Sequence, residues 1–343
     1  MSRLLSDLGV DLPVLAAPMA GGPSTPELVV AAARSGSMGF LAGGYKSAQA
    51  LAEQIRTVQA QEVPFGVNLF VANPVQISPE DYRRYALALK PAADRYGLTL
   101  NDEAPTEDDD DWGEKIDLVV GASVPWVSFT FGIPEPALIR ALQRSGITVL
   151  QSVTSADEAG QAVEAGVDAL VVQASAAGGH SATLAPHRPL NRAALPDLVA
   201  SVRRITDRPM IAAGGIAGHG DVAAALCAGA DAAMVGTLLL RTEESGASAS
   251  HKEALADPAF DSTVVTRAFT GRPARALRNH FAEHYDSVAP AGYPSVHHLT
   301  APLRKAAAAA GDARFVHLWA GTGYREAQEE KVAQTIHRLG DPL

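Results

Sequence analysis

The sequence predicts an α/β fold, a TIM (β/α)8 barrel with an insertion after strand 3 and a C-terminal helical cap. The first observation behind this prediction is that eight short apolar segments alternate with segments carrying helix start and stop signals. The second is that most of the apolar segments end in glycine, so loops would begin on one rim. The length of 343 residues fits one large α/β domain with an appendage.

The eight predicted strands are almost wholly apolar, as expected for strands buried on both faces of a parallel sheet. They cover residues 14–19, 38–42, 65–70, 126–131, 148–153, 168–173, 209–213 and 232–235. Thr25 is the predicted cap of the first helix, with Pro26 in its first turn. A second helix is predicted at residues 47–59, and another starts at residues 134–135.

A short internal repeat supports the alternation of helices and strands. Residues 165–172 read AGVDALVV and residues 228–235 read AGADAAMV, and each stretch spans a helix end, a turn and a strand. Asp168 and Asp231 occupy the same place in the two copies. We expect structural roles for both, because acidic and glycine residues are common in tight turns.

Two segments interrupt the pattern. The first, at about residues 73–115, is too long for an ordinary connection. It contains a predicted helix at 81–96 and an acidic run at 102–111, which predicts a solvated, partly disordered loop rather than a calcium site. We divide the chain into a barrel at 1–240 and a helical segment at 241–343 that covers the barrel mouth. Within the second segment, helices are predicted at 300–310 and 325–339.

The composition of the chain argues against several classes of function and location. The formal net charge is −10 and no basic stripe is visible, which argues against nucleic acid as a partner. Cys227 is the single cysteine, so we expect a reducing, cytoplasmic location and a buried place for this small side chain. No apolar run is long enough to span a membrane, and Asp7, Asp11 and Pro13 argue against a signal peptide. Monomer and homodimer both remain open.

The stretch QASAAGGHS, at residues 173–181, is the predicted mouth of a site. It follows a buried strand and consists mainly of small residues, so backbone there is open to close approach by a flat or anionic ligand. His180 comes directly after the glycine pair, at the strand end where barrels carry their chemistry. A glycine-rich turn with a solvated histidine is the plainer alternative.

The ends of the seventh and eighth strands predict a phosphate site. Gly214, Gly215 and Gly236 would free backbone N–H groups there, helped by a helix N-terminus and the Thr237 hydroxyl. Tight turns with no ligand are the alternative. Two strand-end amides, Asn68 and Gln173, suit the polar edge of a heterocycle because an amide both donates and accepts.

Taken together, the motifs resemble the nitronate monooxygenases. The match rests on APMAGG, GVNLF, QASAAGGH, AAGGI and MVGT, with GRPARALRN and LWAGTGY in the tail, in the same order. The resemblance implies FMN across the C-terminal rim and His180 as the active-site histidine. It implies these FMN-binding residues: Met19, Asn68, Gln173, Gly178, Gly179, Gly214, Gly215, Met234, Val235, Gly236 and Thr237.

The implied reaction is oxidation of an alkyl nitronate, such as propionate 3-nitronate, by O₂. The products would be a carbonyl compound and nitrite or nitrate, without a nicotinamide cofactor or a metal. His180 would orient the anion or, with a neutral nitroalkane, remove the α-proton. Ser181 and Ala182 depart from the usual Arg-Gly after GGH, and Thr322 departs from the usual Gln, so both positions bear on substrate identity.

Other residues and functions stay open at this stage. Tyr293, Arg304 and Lys305 are candidates for reaching an anionic substrate. The nearest alternative function is an FMN-dependent enoyl-ACP reductase that uses NAD(P)H, and a flavin-binding barrel without catalysis is another. His280, Glu283 and His284 form H-x-x-E-H, a spacing found in zinc peptidases. The remaining histidines are predicted to be loop or surface residues: His187, His219, His251, His297, His298, His317 and His337.

Overall fold

The structure, a computed structural model, contains a closed barrel of eight parallel strands within the residues it describes, 10–340. The predicted fold class is therefore confirmed. The barrel strands are β1 Val14–Ala16, β2 Gly39–Ala42, β3 Phe65–Phe70, β4 Trp126–Thr130, β5 Thr148–Val153, β6 Ala169–Gln173, β8 Met210–Ala213 and β9 Ala232–Val235. Residues 1–9 and 341–343 lie outside the described residues. Asp7 is among them, as are the first residues of the predicted barrel segment and the last residues of the predicted helical segment.

The helices alternate with these strands and continue into the tail. They are Pro26–Arg34, Ala48–Gln59, Pro79–Arg95, Trp112–Gly121, Pro136–Arg144, Ala156–Ala165, Leu195–Arg203, His219–Cys227, Ala249–Ala256, His280–Tyr285, Ser295–Ala309 and Val332–Gly340. The predicted start signal works as expected in the first of them, where the Thr25 side chain accepts from the Leu28 N–H. The two predicted tail helices differ in their starts, since one begins at Ser295 and the other at Val332.

The two repeated aspartates fix the join between neighbouring strands. Asp168 Oδ2 accepts from the Val149 N–H at 2.8 Å. Asp231 Oδ2 accepts from the Met210 N–H, also at 2.8 Å. In each copy of the repeat the carboxylate thus binds the backbone of the adjacent strand, and the predicted structural role is confirmed.

Large side chains fill the interior of the barrel. Phe40 and Trp126 are fully buried there, with ring centroids 6.3 Å apart. At Gly66 a Cβ would lie 2.3 Å from the Phe40 ring, so the missing side chain makes room for that ring. Because the interior is packed, a ligand has room only at the ends of the strands.

The tail contributes strands as well as helices. Two of them, β10 Thr263–Thr266 and β11 Ala274–Leu277, form a small antiparallel sheet with β7, Gly179–His180. The tail therefore contains strands besides the predicted helices, and the sequence analysis did not predict these strands. These strands are short, and β11 pairs with residues almost a hundred positions away. No local sequence pattern therefore predicts them.

Most of the acidic run is exposed, as the prediction of a solvated loop has it, and its end makes specific contacts with other segments. Asp110 Oδ1 accepts from the Tyr45 N–H at 3.0 Å, and Lys115 Nζ lies 2.9 Å from Asp110 Oδ2. Asp111 accepts from the Ala48 N–H, and Asp108 lies 2.6 Å from the His298 ring. The run therefore attaches to the loop after β2 and to the tail, next to the barrel mouth.

Candidate active site

A cavity of about 390 Å³ opens at the carboxyl ends of the barrel strands. Its size lies within the range of small-molecule sites, about 300–1,000 Å³. Every residue predicted to bind FMN, and the predicted catalytic histidine, lies on its wall: Met19, Asn68, Gln173, Gly178, Gly179, His180, Gly214, Gly215, Met234, Val235, Gly236 and Thr237. The tail closes the far side of the cavity with residues that include His317, Trp319 and Gly321.

Backbone pairing and one side-chain amide hold His180 in place. Its strand β7 pairs with β11, where His180 lies opposite Ala274. Gln173 Nε2 donates to the His180 carbonyl at 3.2 Å, and Gln173 Oε1 accepts from the Ala182 N–H at 2.8 Å. Both ends of the Gln173 amide thus hold the histidine loop, which leaves only one N–H of this amide for a ligand.

The His180 ring is enclosed by aromatic rings and one hydroxyl. Nε2 lies 2.8 Å from Thr270 Oγ1. The ring centroids of Trp319 and Phe131 lie 5.2 and 5.7 Å away. Burial, followed by the positive charges of Arg272 and Arg304, lowers the pKa of His180 to about 3. The imidazole is therefore neutral at physiological pH and able to accept a proton or a hydrogen bond.

Unpaired backbone donors also line the cavity. The N–H groups of Gly214, Gly215 and Gly236 make no hydrogen bond to any described residue. Thr237 Oγ1 accepts from the Gly321 N–H at 2.9 Å, so its own proton is available to an anion in the cavity. These donors suit a phosphate group.

The helix start beside these glycines contributes less than predicted. Asp221 accepts from the N–H groups of both Ala217 and Gly218, at 2.8 and 3.0 Å. The helix His219–Cys227 is therefore capped by its own carboxylate, and these two N–H groups are not available to a ligand.

Asn68 and Met19 also line the cavity. Asn68 Nδ2 donates to Ser128 and Thr130, which leaves its Oδ1 as the acceptor without a protein partner among the described residues. The Met19 side chain lies against Gly236, where a Cβ would be 3.4 Å from its sulfur. The two side chains add one polar and one apolar contact to the cavity wall.

No Asp, Glu, Lys or Arg side chain among the described residues lines the cavity. One layer behind it, Arg272 is fully buried and donates to two carbonyl groups, those of Asn73 and Thr183, each at 2.9 Å. Its guanidinium lies 4.1 Å from the centroid of the Phe131 ring. Burial lowers the pKa of Arg272 to about 10, so it stays charged at neutral pH. The cavity wall therefore faces positive charge.

Sequence reasoning missed Arg272, and it was only partly right about the tail residues proposed to reach an anion. Arg304 is buried behind the wall. Tyr293 lies near Arg272 instead, and its hydroxyl is 3.5 Å from that of Tyr45. Lys305 is exposed on the outside of its helix, so that candidate is wrong. Arg272 falls in the GRPARALRN motif, whose repeated arginines are the one sequence signal that could have pointed to it.

Three histidines predicted for loops or the surface belong to the site region instead. His251 and His317 line the cavity, and the His297 ring stacks on Tyr45 with centroids 4.1 Å apart. Their burial arises where the tail folds over the barrel, which the local sequence does not reveal. His187 and His337 are exposed as predicted, and His219 and His298 are partly buried. Cys227 is exposed, which overturns the prediction of a buried cysteine.

Of the three positions that depart from the family pattern, one lies on the cavity wall and two lie next to it. Ala182 lines the cavity, whereas Ser181 lies buried beside it. Thr322 is not on the wall, and its N–H donates to the Ala176 carbonyl at 3.0 Å. Only Ala182 therefore meets the expectation that these positions face the substrate pocket.

The H-x-x-E-H sequence makes other contacts. The His280 and His284 rings stack with centroids 5.3 Å apart, and Glu283 lies 3.6 Å from Arg278. Across residues 10–340, no group of three or more His, Cys, Asp and Glu side chains is arranged to hold a metal ion. In the same part of the chain, no helix is both long enough and apolar enough to cross a membrane.

Comparisons with known proteins give consistent matches. A sequence model described as nitronate monooxygenase matches residues 2–341. A probable nitronate monooxygenase of Staphylococcus saprophyticus is 36% identical, over 95% of this chain and 93% of its own length. The structure of a nitroalkane oxidase from Streptomyces ansochromogenes is similar with a TM-score of 0.92 and 43% identity, covering 98% and 96% of the two chains. FabK from Thermotoga maritima is more distant, with a TM-score of 0.76 and 26% identity over 99% and 94%.

Proposed function

Because the chain belongs to the nitronate monooxygenase family, we propose that it uses FMN and O₂ to oxidise alkyl nitronates such as propionate 3-nitronate. As a member of this family the chain is an oxidoreductase, and the family consists of flavin enzymes. In the proposed reaction the carbon–nitrogen bond of the nitronate is replaced by a carbonyl group. The nitrogen leaves as nitrite or nitrate.

The donor set supports FMN in particular. Gly214, Gly215 and Gly236 present unpaired N–H groups, and Thr237 has a hydroxyl proton to donate, so these residues would hold the FMN phosphate. Met19, Asn68, Gln173, Gly178, Gly179, Met234 and Val235 would hold the rest of the cofactor. When bound, FMN supplies the electron acceptor.

His180 would act on the substrate as a neutral imidazole. A nitronate is already deprotonated, so the residue has only to orient it, with Thr270 fixing the ring at 2.8 Å. With a neutral nitroalkane, the same ring would take the α-proton. Phe131 and Trp319 on the adjoining wall would exclude water from the bound substrate.

The observation that carries the proposal is that unpaired backbone donors and a neutral histidine line the same cavity. The test is to record the visible spectrum of the purified protein, release and identify the flavin, and measure O₂ consumption with propionate 3-nitronate. Yellow protein that releases FMN and consumes O₂ with the nitronate is expected. His180→Asn should reduce this activity by about 5-fold without loss of the flavin, the effect of losing one orienting hydrogen bond.

The alternative, an enoyl-ACP reductase using NAD(P)H, has the likeness to FabK in its favour. The same preparation separates the two. Rapid bleaching of the flavin by NADPH, without O₂ consumption on addition of nitronate, would establish the alternative and overturn the proposal.

The proposed setting is a cytoplasmic enzyme acting on a small anionic substrate, as a monomer or a homodimer. The single cysteine, Cys227, is exposed and fits a reducing compartment. Light scattering of the purified protein distinguishes the two oligomeric states.

A further inference from the structure

His317 lies on the cavity wall in a single tautomer. Its Nδ1 is 3.4 Å from NH1 of Arg304. A guanidinium only donates hydrogen bonds, so Nδ1 of His317 must accept, and the proton of the neutral ring must be on Nε2. Burial and the positive charge of Arg304 hold the pKa of His317 well below its usual range, so the ring stays neutral. The result is an imidazole with a fixed Nε2–H donor.

This donor has no partner in the protein. Nε2 of His317 makes no hydrogen bond to any described residue, and it is not one of the fully enclosed polar atoms that lack a partner. Because His317 lines the cavity, the cavity is the place where this N–H can find an acceptor. His180 lies close enough to His317 to influence it electrostatically.

The positive charge of Arg304 lies next to this donor, and no carboxylate among the described residues neutralises it. Its Nε donates to Thr300, and its two terminal nitrogens reach only His297 and His317. The side chain is buried, and among the described residues no acidic side chain lies within ion-pairing distance of it. Because no carboxylate pairs with Arg304, its positive charge would attract an anion in the cavity.

We propose that His317 is an anion-binding residue of the cavity, whose Nε2–H donates to a negatively charged oxygen of the substrate. Arg304 is a positioning residue in this arrangement, because it acts through His317. The two histidines then have different roles, since His317 donates to the anionic oxygen and His180 faces the reacting carbon of the substrate. The substrate class that follows is an anionic nitronate in preference to a neutral nitroalkane, and this identification rests on the proposed function.

Three substitutions separate the two nitrogens of the ring. His317→Asn keeps an acceptor for Arg304 near the place of Nδ1 but has no donor at the place of Nε2. His317→Gln extends an amide N–H to the place of Nε2, and His317→Phe keeps a ring with neither group. His187→Asn, at an exposed position, is the matched control.

The probe is nitrite, which is an anion that needs no turnover, titrated into each holoenzyme while the flavin absorbance is followed. We expect the dissociation constant of nitrite to rise about 10-fold in the Asn and Phe variants and to recover in the Gln variant. The KM for propionate 3-nitronate should follow the same order, while the KM for neutral nitroethane stays within about 2-fold of the wild-type value. Flavin content and thermal unfolding of each variant report whether it has folded.

The outcomes separate this inference from the proposed function. If the wild type ignores nitronates but the Asn variant binds nitrite more weakly, the proposed function fails and anion binding by His317 stands. If the wild type oxidises nitronates and all three folded variants keep its nitrite affinity and nitronate KM, the role of His317 is overturned.

Discussion

Nε2 of His180 lies 2.8 Å from the hydroxyl oxygen of Thr270, on the tail segment between β10 and β11. The ring is thus oriented by a residue about 90 positions away in the chain. Removing one hydrogen bond of this kind changes a binding or activation free energy by about 1 kcal/mol, close to 5-fold in rate. Thr270→Val should therefore lower kcat/KM for the nitronate about 5-fold at unchanged FMN content. Thr57→Val, on an exposed helix face, is the control, and equal kinetics in both variants would contradict the positioning role.

The pH profile should be flat where a free histidine would titrate. Burial lowers the pKa of His180 to about 3, so the ring remains neutral above about pH 5. With preformed nitronate, kcat/KM should change less than about 2-fold between about pH 5.5 and about pH 8. Stopped-flow assays across this range would check it. A sigmoidal rise centred near pH 6.5 would show that His180 titrates as an exposed residue does.

His251 should make the fold sensitive to acid. Burial lowers its folded-state pKa to about 4, below the unfolded value of 6.5, so the unfolded chain binds the proton first. The contribution is fully present above pH 6.5 and is lost as the pH falls towards 4. When the pH falls from 7 to 5, protonation of this residue in the unfolded chain should lower the free energy of unfolding by about 2 kcal/mol.

His251→Leu removes that proton-binding group, and urea unfolding at both pH values measures the effect. Relative to wild type, the variant should gain about 2 kcal/mol on going from pH 7 to pH 5. His187→Leu, at an exposed position, should show no such gain. An equal response of the two variants would mean that His251 is not held neutral by burial.

Gly215 should be needed for the cofactor more than for the fold. Its φ of +81° is unfavourable for a side chain, and a Cβ would lie 2.9 Å from Cβ of Ala176. Gly97 has a φ of +65° but open space around its Cβ. Both alanine variants should lose about 1–2 kcal/mol of stability. Only Gly215→Ala should also weaken FMN binding, by about 10-fold in a fluorescence titration, and equal FMN affinity would exclude Gly215 from the phosphate site.

Asp110 should anchor the insertion beside the mouth. It accepts from the Tyr45 N–H and pairs with Lys115, whose side chain is 2% exposed. Removing one partner of a buried ion pair leaves the other charge uncompensated, at a cost of about 3 kcal/mol. Urea unfolding should show this loss for Asp110→Ala. Asp109→Ala, at the exposed neighbouring position, should change stability by less than about 0.5 kcal/mol, and a similar loss in both would contradict the anchor.

The barrel could be predicted from the sequence because its strands are defined locally. Each is a short, largely apolar run, and the predicted bounds at residues 65–70, 148–153 and 232–235 match the observed strands without change. The predicted site residues also meet in one cavity for a simple reason. The carboxyl ends of parallel strands in a closed barrel all reach the same rim, so residues far apart in the chain are brought together by the topology alone.

The positive charge around the site was decided by the tertiary structure. Arg272, Arg304, His251 and His317 carry no local signal of burial, and polar residues in a tail are expected to be exposed. They become buried because β11 pairs with β7 and the tail closes over the rim, so that two positive charges lie behind a wall without carboxylates. The sequence therefore determined the barrel and the rim that carries the site. Only the packing of distant segments determined which charges surround that rim, because burial and charge pairing depend on contacts between residues far apart in the chain.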